Sequence, residues 1–189
     1  MAKRILIYTN HFDPEHFKIN EAVNWLAQEG FQLHVLTGWP NYPEGKIFKG
    51  YGPFKKSFER RGNLTIRRLP LIPRGNGSKT RLIINYLSYF LSAFTYTLYL
   101  IFFKKKYHKI LVHHTSPFLI AISAILYKIF RRADAVLWDL DLWPQSLEAV
   151  NIINSKRLLY WIEKAVKVIY EKFDIILVGS KSFIEIVLE

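Results

Sequence analysis

Cysteine is absent from the 189 residues, which excludes disulfides and thiolate metal sites and fits a reducing compartment without requiring one. Acidic residues are scarce: 15 Asp and Glu stand against 27 Lys and Arg, for a formal net charge of +12. Glycine-rich nucleotide loops are missing too. After the first apolar run the chain reads Tyr8-Thr9-Asn10-His11-Phe12-Asp13-Pro14-Glu15, with no G-x-G-x-x-G and no Walker loop. No G-x-S-x-G elbow occurs either, so hydrolase chemistry of that type has nothing to start from. The N-terminus shows a short apolar run before Asn10-His11 and lacks the h-region and cleavage site of a signal peptide, so a cytoplasmic placement is expected.

What is present is a greasy globular chain. Half of the residues are hydrophobic and 16% are aromatic, which excludes disorder and suits one domain over residues 1–189. The positive charge is concentrated. From Lys46 to Arg81 there are eleven basic residues, including Lys55, Lys56, Arg60, Arg61 and Arg74, against the single acid Glu59. A one-sided block of this kind attracts polyanions such as lipid headgroups, pyrophosphates or nucleic acid. No nucleic-acid motif accompanies it, so no nucleic-acid partner is expected.

Periodicity predicts alternating strands and helices. Strands are expected at 3–9, 31–37, 64–69, 108–113, 135–139 and 175–179. Helices are expected at 19–29, where Gly30 supplies the residue free to adopt positive φ past the C-terminus, at 117–130 and at 151–172. A last helix opens after Ser180, a candidate N-cap, and runs on with Ile184, Val187 and Leu188 ready to bury and no terminating glycine or proline. This order predicts an α/β fold, a Rossmann-like doubly wound parallel sheet.

The stretch Ile83–Phe103 carries no charge and is flanked by Arg81 and by Lys104-Lys105-Lys106. Its length allows a membrane span, an interfacial helix, or a packed crossover helix between the third and fourth strands. Asn85, Ser88, Ser92, Thr95 and Tyr99 recur at three- and four-residue spacing and collect weakly polar groups on one face. That pattern favours the packed or interfacial placements over a span.

In doubly wound sheets ligands bind beyond the carboxyl ends of the strands. The segments lying there, 10–17, 37–43, 113–117 and 139–146, are rich in polar and aromatic groups of the kind that bind sugars. Asp139 and Asp141 are the best acid/base candidates, with a turn or cap aspartate as the alternative. His113 and His114 are adjacent on a strand and point to opposite faces, so they do not grip one metal. One of them faces the cleft, or is held by backbone hydrogen bonds at the strand end.

Several runs resemble bacterial family 4 glycosyltransferases of the GT-B fold that build capsule, O-antigen and exopolysaccharide. They are Pro14-Glu15-His16-Phe17-Lys18-Ile19-Asn20, Leu36-Thr37-Gly38-Trp39-Pro40-Asn41-Tyr42-Pro43-Glu44-Gly45-Lys46, Arg68-Leu69-Pro70-Leu71-Ile72-Pro73-Arg74-Gly75, Asn85-Tyr86-Leu87-Ser88, Ser116-Pro117 and Asp141-Leu142-Trp143-Pro144-Gln145-Ser146-Leu147. The resemblance is closest to the group that includes N-acetylfucosamine-type aminosugar transferases. It implies an N-terminal, acceptor-side domain of a retaining, metal-independent enzyme that needs no cofactor, with a C-terminal domain that would hold the nucleotide-sugar lying outside this chain. It further implies acceptor contacts by His16, Asn20, Asn41, Tyr42, His114, Ser116 and Trp143. Lys55, Lys56, Arg60, Arg61, Arg74, Lys104 and Lys105 would meet an anionic membrane surface or the pyrophosphate of a polyprenyl-linked acceptor. A non-catalytic subunit that anchors a separate donor-binding polypeptide at the inner face of the plasma membrane is the alternative. The sequence departs from the family pattern at Leu140, where a histidine or glutamine is common, and at Gln145, where glutamate is usual.

Overall fold

The computed structural model describes residues 3–149, 153 and 155–188. In chain order the elements are β1 (Arg4–Thr9), α1 (Ile19–Gln28), β2 (Gln32–Gly38), β3 (Phe58–Arg61), β4 (Leu64–Leu69), α2 (Lys79–Phe103), β5 (Lys109–His114), α3 (Ile120–Arg131), β6 (Asp134–Asp139), α4 (Gln145–Ala149), α5 (Lys156–Tyr170), β7 (Ile175–Val178) and α6 (Lys181–Leu188). The strands form one sheet in the order β3-β4-β2-β1-β5-β6-β7, and every neighbouring pair is parallel except β3–β4. The chain winds outward from β1 in one direction and from β5 in the other. The switch point therefore falls between those two strands.

Each face of the sheet has its own core. Ile5, Ile7, Leu33, Val35, Leu64 and Ile66 pack against Ile19 and Val23 of α1. On the other face Leu6, Tyr8 and Leu36 of β1 and β2 join Ile110, Val112 and Leu137 of β5 and β6 and pack against α2, α3 and α5. Strand periodicity of two thus sends alternate residues to two apolar layers, the doubly wound arrangement predicted. Gly30 follows α1 with φ of 83°, and Phe31 N–H bonds the Leu26 carbonyl at 3.2 Å, as a left-handed helix exit requires.

Helix α4 has no counterpart in the sequence expectation, and four further details differ from it. Strand β3 is a short edge strand, too charged and too brief to show alternation. Buried Arg68 holds it, donating to the Glu59 carboxyl, to the Lys56 carbonyl at 3.1 Å and to the Asp13 carbonyl at 2.7 Å. Burial would raise the Glu59 pKa, but Arg68 and Arg61 outweigh it and hold the carboxyl below its usual value. Helix α3 starts at Ile120, because residues 117–119 form a turn that leads into it. Ser155 caps α5 by accepting from Leu158 N–H at 3.4 Å, and the expected earlier start at Asn151 lies outside the described residues. The Ser180 hydroxyl meets that of Ser182 at 2.8 Å, with Val187 of α6 turned toward α5.

Helix α2 is the crossover from β4 to β5, and its polarity is inverted. Its buried face carries Asn85, Tyr89, Ala93, Thr97, Leu100 and Ile101. Tyr89 Oη–H bonds the Thr9 carbonyl at 2.7 Å, Asn85 Nδ2 donates to the Ile72 carbonyl at 2.6 Å, and Thr97 pairs with the Tyr8 hydroxyl at 2.9 Å. Burial lifts both tyrosines well above the usual phenol pKa, so they stay neutral. The outward side carries Ile84, Leu87, Leu91 and Phe102. Of the polar positions picked out by spacing, only Asn85 is fully buried, whereas Thr95 and Tyr99 are exposed among these apolar groups.

Candidate functional site at the carboxyl ends of the strands

The loops after β1, β2, β4, β5 and β6 converge above the switch point. Asn10 Nδ2 donates to the Ser116 carbonyl and ties the β1 and β5 loops across it. In the β1 loop, Glu15 is buried and organises two segments at once. One carboxyl oxygen accepts the backbone N–H groups of Asn41 and Tyr42 at 2.8 and 2.7 Å, and the other meets His11 Nδ1 at 2.9 Å. His11 stacks on Phe17 with ring centroids 4.6 Å apart, and the Arg74 guanidinium lies over the Tyr42 ring at 5.0 Å. The loops after β2 and β4 touch at Gly45 and Gly75. Gly75 N–H bonds the Gly45 carbonyl at 2.9 Å, and a Cβ on Gly45 would sit 1.8 Å from the Gly75 oxygen, so only glycine fits there.

His113 and His114 point to opposite faces, as their adjacency requires. His113 lies against Trp138 and pairs with Thr9 Oγ1 at 3.0 Å; burial pushes its pKa from 6.5 down to about 3. His114 turns to the α3 side, packs edge-on against Phe118 and Trp143, and pairs through Nδ1 with Asp139 Oδ1 at 2.6 Å. Asp139 is fully buried and also accepts from the Tyr170 hydroxyl and from Asp141 N–H. Burial first, then the neighbouring Asp139, raise Tyr170 far above the ordinary phenol value.

The candidate residues sort by position. Arg74, Ser116 and Asp141 line one open cavity of about 360 Å³, together with Tyr86, Ser146 and Gly77. Trp143 borders it, with Nε1–H donating to Ser116 Oγ at 3.1 Å. Asn41 and Tyr42 reach it through Arg74, whose backbone N–H bonds Asn41 Oδ1 at 3.3 Å. Asp139 adjoins the cavity only through the Asp141 N–H, and its carboxyl is enclosed by Asp141, His114 and Tyr170. Asn20 braces the β1 loop, accepting from Asp13 N–H and donating to the Glu15 carbonyl, while His16 is exposed. The basic candidates do not form one patch. Lys55, Lys56, Arg60 and Arg61 lie at the β3 edge, Lys104 and Lys105 follow the far end of α2, and Arg74 alone of the seven lines the cavity. Glu15, His11 and Tyr170 escaped the sequence reading, although the i, i+4 spacing of His11 and Glu15 was a usable signal. Among the described residues no three His, Asp or Glu side chains converge as metal ligands.

The fold is the Rossmann-like α/β domain found in glycosyltransferases of the GT-B class. Solved trehalose-phosphate synthases superpose on it: the α,α-trehalose 6-phosphate synthase of Burkholderia multivorans (TM-score 0.51, 14% identity, 93% of this chain and 39% of that one) and the UDP-forming enzyme of Burkholderia vietnamiensis (0.52, 13%, 96% and 40%). In sequence the chain is similar to a protein named as a colanic acid biosynthesis glycosyl transferase, WcaI of Escherichia coli strain K12, with 30% identity over 95 residues, 48% of this chain and 23% of that protein. The chain thus spans about a quarter of that relative and two fifths of those structures. No family model matches.

Proposed function

We propose that this chain is the acceptor-side domain of a retaining glycosyltransferase of surface-polysaccharide biosynthesis, working opposite a domain that holds the nucleotide-sugar. The observation that carries the reading is the cavity lined by Arg74, Ser116 and Asp141 at the carboxyl ends of the strands, beside Tyr86 and Trp143. A saccharide needs hydroxyl-pairing groups and flat apolar rings together, and this cavity has both. Asp141 is the carboxyl that can accept a hydrogen bond from an acceptor hydroxyl and take up its proton. Asp139 acts through others, since it holds His114 and the Asp141 backbone in place.

A peripheral place on the inner membrane surface belongs to the same reading. No acidic residue lies between Glu59 and Asp134. Within that stretch α2 exposes Leu91, Phe102 and Phe103, and the adjoining α3 exposes Ile129 and Phe130, next to Lys104-Lys105-Lys106 and Arg132. Aromatic and aliphatic groups collared by cations suit the headgroup boundary of an anionic bilayer. The same surface favours the second reading, a non-catalytic subunit that anchors a separate donor-binding polypeptide.

Calorimetric titration with UDP and a UDP-N-acetylaminosugar tests the assignment. The expected result is no heat from protein that is folded by circular dichroism; micromolar binding overturns the acceptor-side reading. When the chain is paired with its donor-binding counterpart, Asp141→Asn abolishes transfer under the first reading and leaves it intact under the anchoring one.

A further inference from the structure

One contact network starts at Glu15 and ends on Arg74. The Glu15 carboxyl, in a residue only 2% exposed, accepts from the Asn41 and Tyr42 N–H groups and from His11 Nδ1. Each of those three residues then touches Arg74. His11 Nε2 meets the Arg74 guanidinium at 3.4 Å, the Tyr42 ring lies beneath it, and Asn41 Oδ1 takes the Arg74 backbone N–H. Arginine can only donate, so His11 accepts through Nε2 and gives its Nδ1–H to Glu15. The guanidinium is thereby braced, yet among the described residues no carboxylate comes within ion-pair distance of it. Arg74 Nε and Ser146 Oγ, both on cavity-lining residues, are also buried without a hydrogen-bond partner. A cationic fork held in place with no counter-ion is preorganised for an anion that arrives from outside.

We infer that the sugar held in this cavity is acidic, of the hexuronate class, that Arg74 pairs with its carboxylate, and that Glu15 and His11 are positioning residues for that guanidinium. The rest of the lining fits the same ligand. Ring hydroxyls have Ser116, Ser146 and Asp141 to meet, and the apolar face of the ring has Tyr86 to lie on. Arg74 and Lys79 outnumber Asp141 on the cavity wall, so a singly charged anion is favoured over a neutral sugar. A pyrophosphate would bring several negative charges beside Asp141 and would leave the hydroxyl-pairing groups without hydroxyls. This assignment rests on the acceptor-side reading and names the class of sugar that the site takes.

Methyl glucuronide, methyl glucoside and inorganic pyrophosphate, each titrated into the chain, test it through the NMR signal of the Trp143 indole N–H, which donates to Ser116 Oγ beside the cavity. The glucuronide should bind about tenfold tighter than the glucoside, the effect of one charge-assisted pair. Arg74→Gln should bring that ratio down to about one. Glu15→Gln, or His11→Ala should the first variant fail to fold, should bring it to about three, because the guanidinium is held less firmly. A purely structural role for Glu15 and His11 would lower both affinities together and leave the ratio unmoved, which removes them as positioning residues. A ratio near one in the unaltered chain, a ratio that survives Arg74→Gln, or no binding of either glycoside overturns the inference. Pyrophosphate that binds tighter than the glucuronide and is lost in Arg74→Gln overturns it too, since the guanidinium then serves a phosphate. UDP titration is independent of these arms: silent UDP with failed glucuronide removes this inference alone, whereas UDP binding removes the reading beneath it.

Discussion

Helices α1 and α2 cover opposite faces of one sheet and solve the burial problem in opposite ways. Helix α1 buries Ile19 and Val23 and turns Glu21, Asn24 and Gln28 to the outside, the usual partition for a surface helix. Helix α2 buries an asparagine paired with a loop carbonyl, a tyrosine paired with strand carbonyls and a threonine paired with a strand hydroxyl, and turns aliphatic and aromatic groups outward. Hydrogen-bonded polar groups lose little on burial, so the inside of α2 is affordable. The contrast teaches that the two faces present different surfaces, polar and charged on α1 and aliphatic and aromatic on α2, and the second suits the membrane-facing place proposed for it.

The largest expected effect tests both faces together. Buried His113 lies on the α1 side and buried His34 on the α2 side, and burial lowers their pKa values from 6.5 to about 3 and about 4. Both are neutral when folded, whereas the unfolded chain takes up protons below 6.5. Their contribution is therefore complete above that value and is lost as the pH falls toward the folded values. Between pH 7 and pH 5 each should cost about 2 kcal/mol, or about 4 kcal/mol together, measurable by urea unfolding at the two pH values. His113→Asn should remove about half of this pH dependence.

Ile19→Ala empties a site that is fully buried under α1 and should cost about 3 kcal/mol in the same assay. On the α2 surface the readout changes from stability to partitioning. Leu91→Glu and Phe102→Glu should each lower binding to anionic vesicles about tenfold, by lost apolar insertion and added negative charge. Trp25→Glu, an equally exposed aromatic on α1, should leave vesicle binding unchanged. If Trp25→Glu matches the α2 variants, the asymmetry between the faces is false. The smallest effect is Tyr89→Phe, which removes the hydroxyl donor to Thr9 and Leu36 carbonyls and should cost about 1 kcal/mol.

Much of the fold was legible because strand and helix periods are local. Strand Leu64–Leu69 was placed to the residue, and the exit of α1 at Gly30 followed from backbone sterics alone. The opposed faces of His113 and His114 followed from the pleat. Strand β3 was not legible, since its charged residues pair through Arg68, nine positions from Glu59 in sequence. In the site, Ser116 and Asp141 fall in segments named by position and Arg74 in the basic block, and the structure brings the three to one cavity. The enclosure of Asp139 by His114 and Tyr170 was hidden, because Tyr170 stands 31 residues away on another helix.

The sequence by itself determined the order of the strands and helices apart from β3 and α4, the positive charge, and the uncharged length of α2. Those properties reside in nearest neighbours and in repeat periods, which fold topology does not alter. Only the tertiary structure decided which side of α2 faces inward, which carboxyl is enclosed and which lines the cavity, and that Arg74 parts company with the other basic residues. A period reveals that a helix has two sides; the partners that packing brings within hydrogen-bond reach decide which of them is buried.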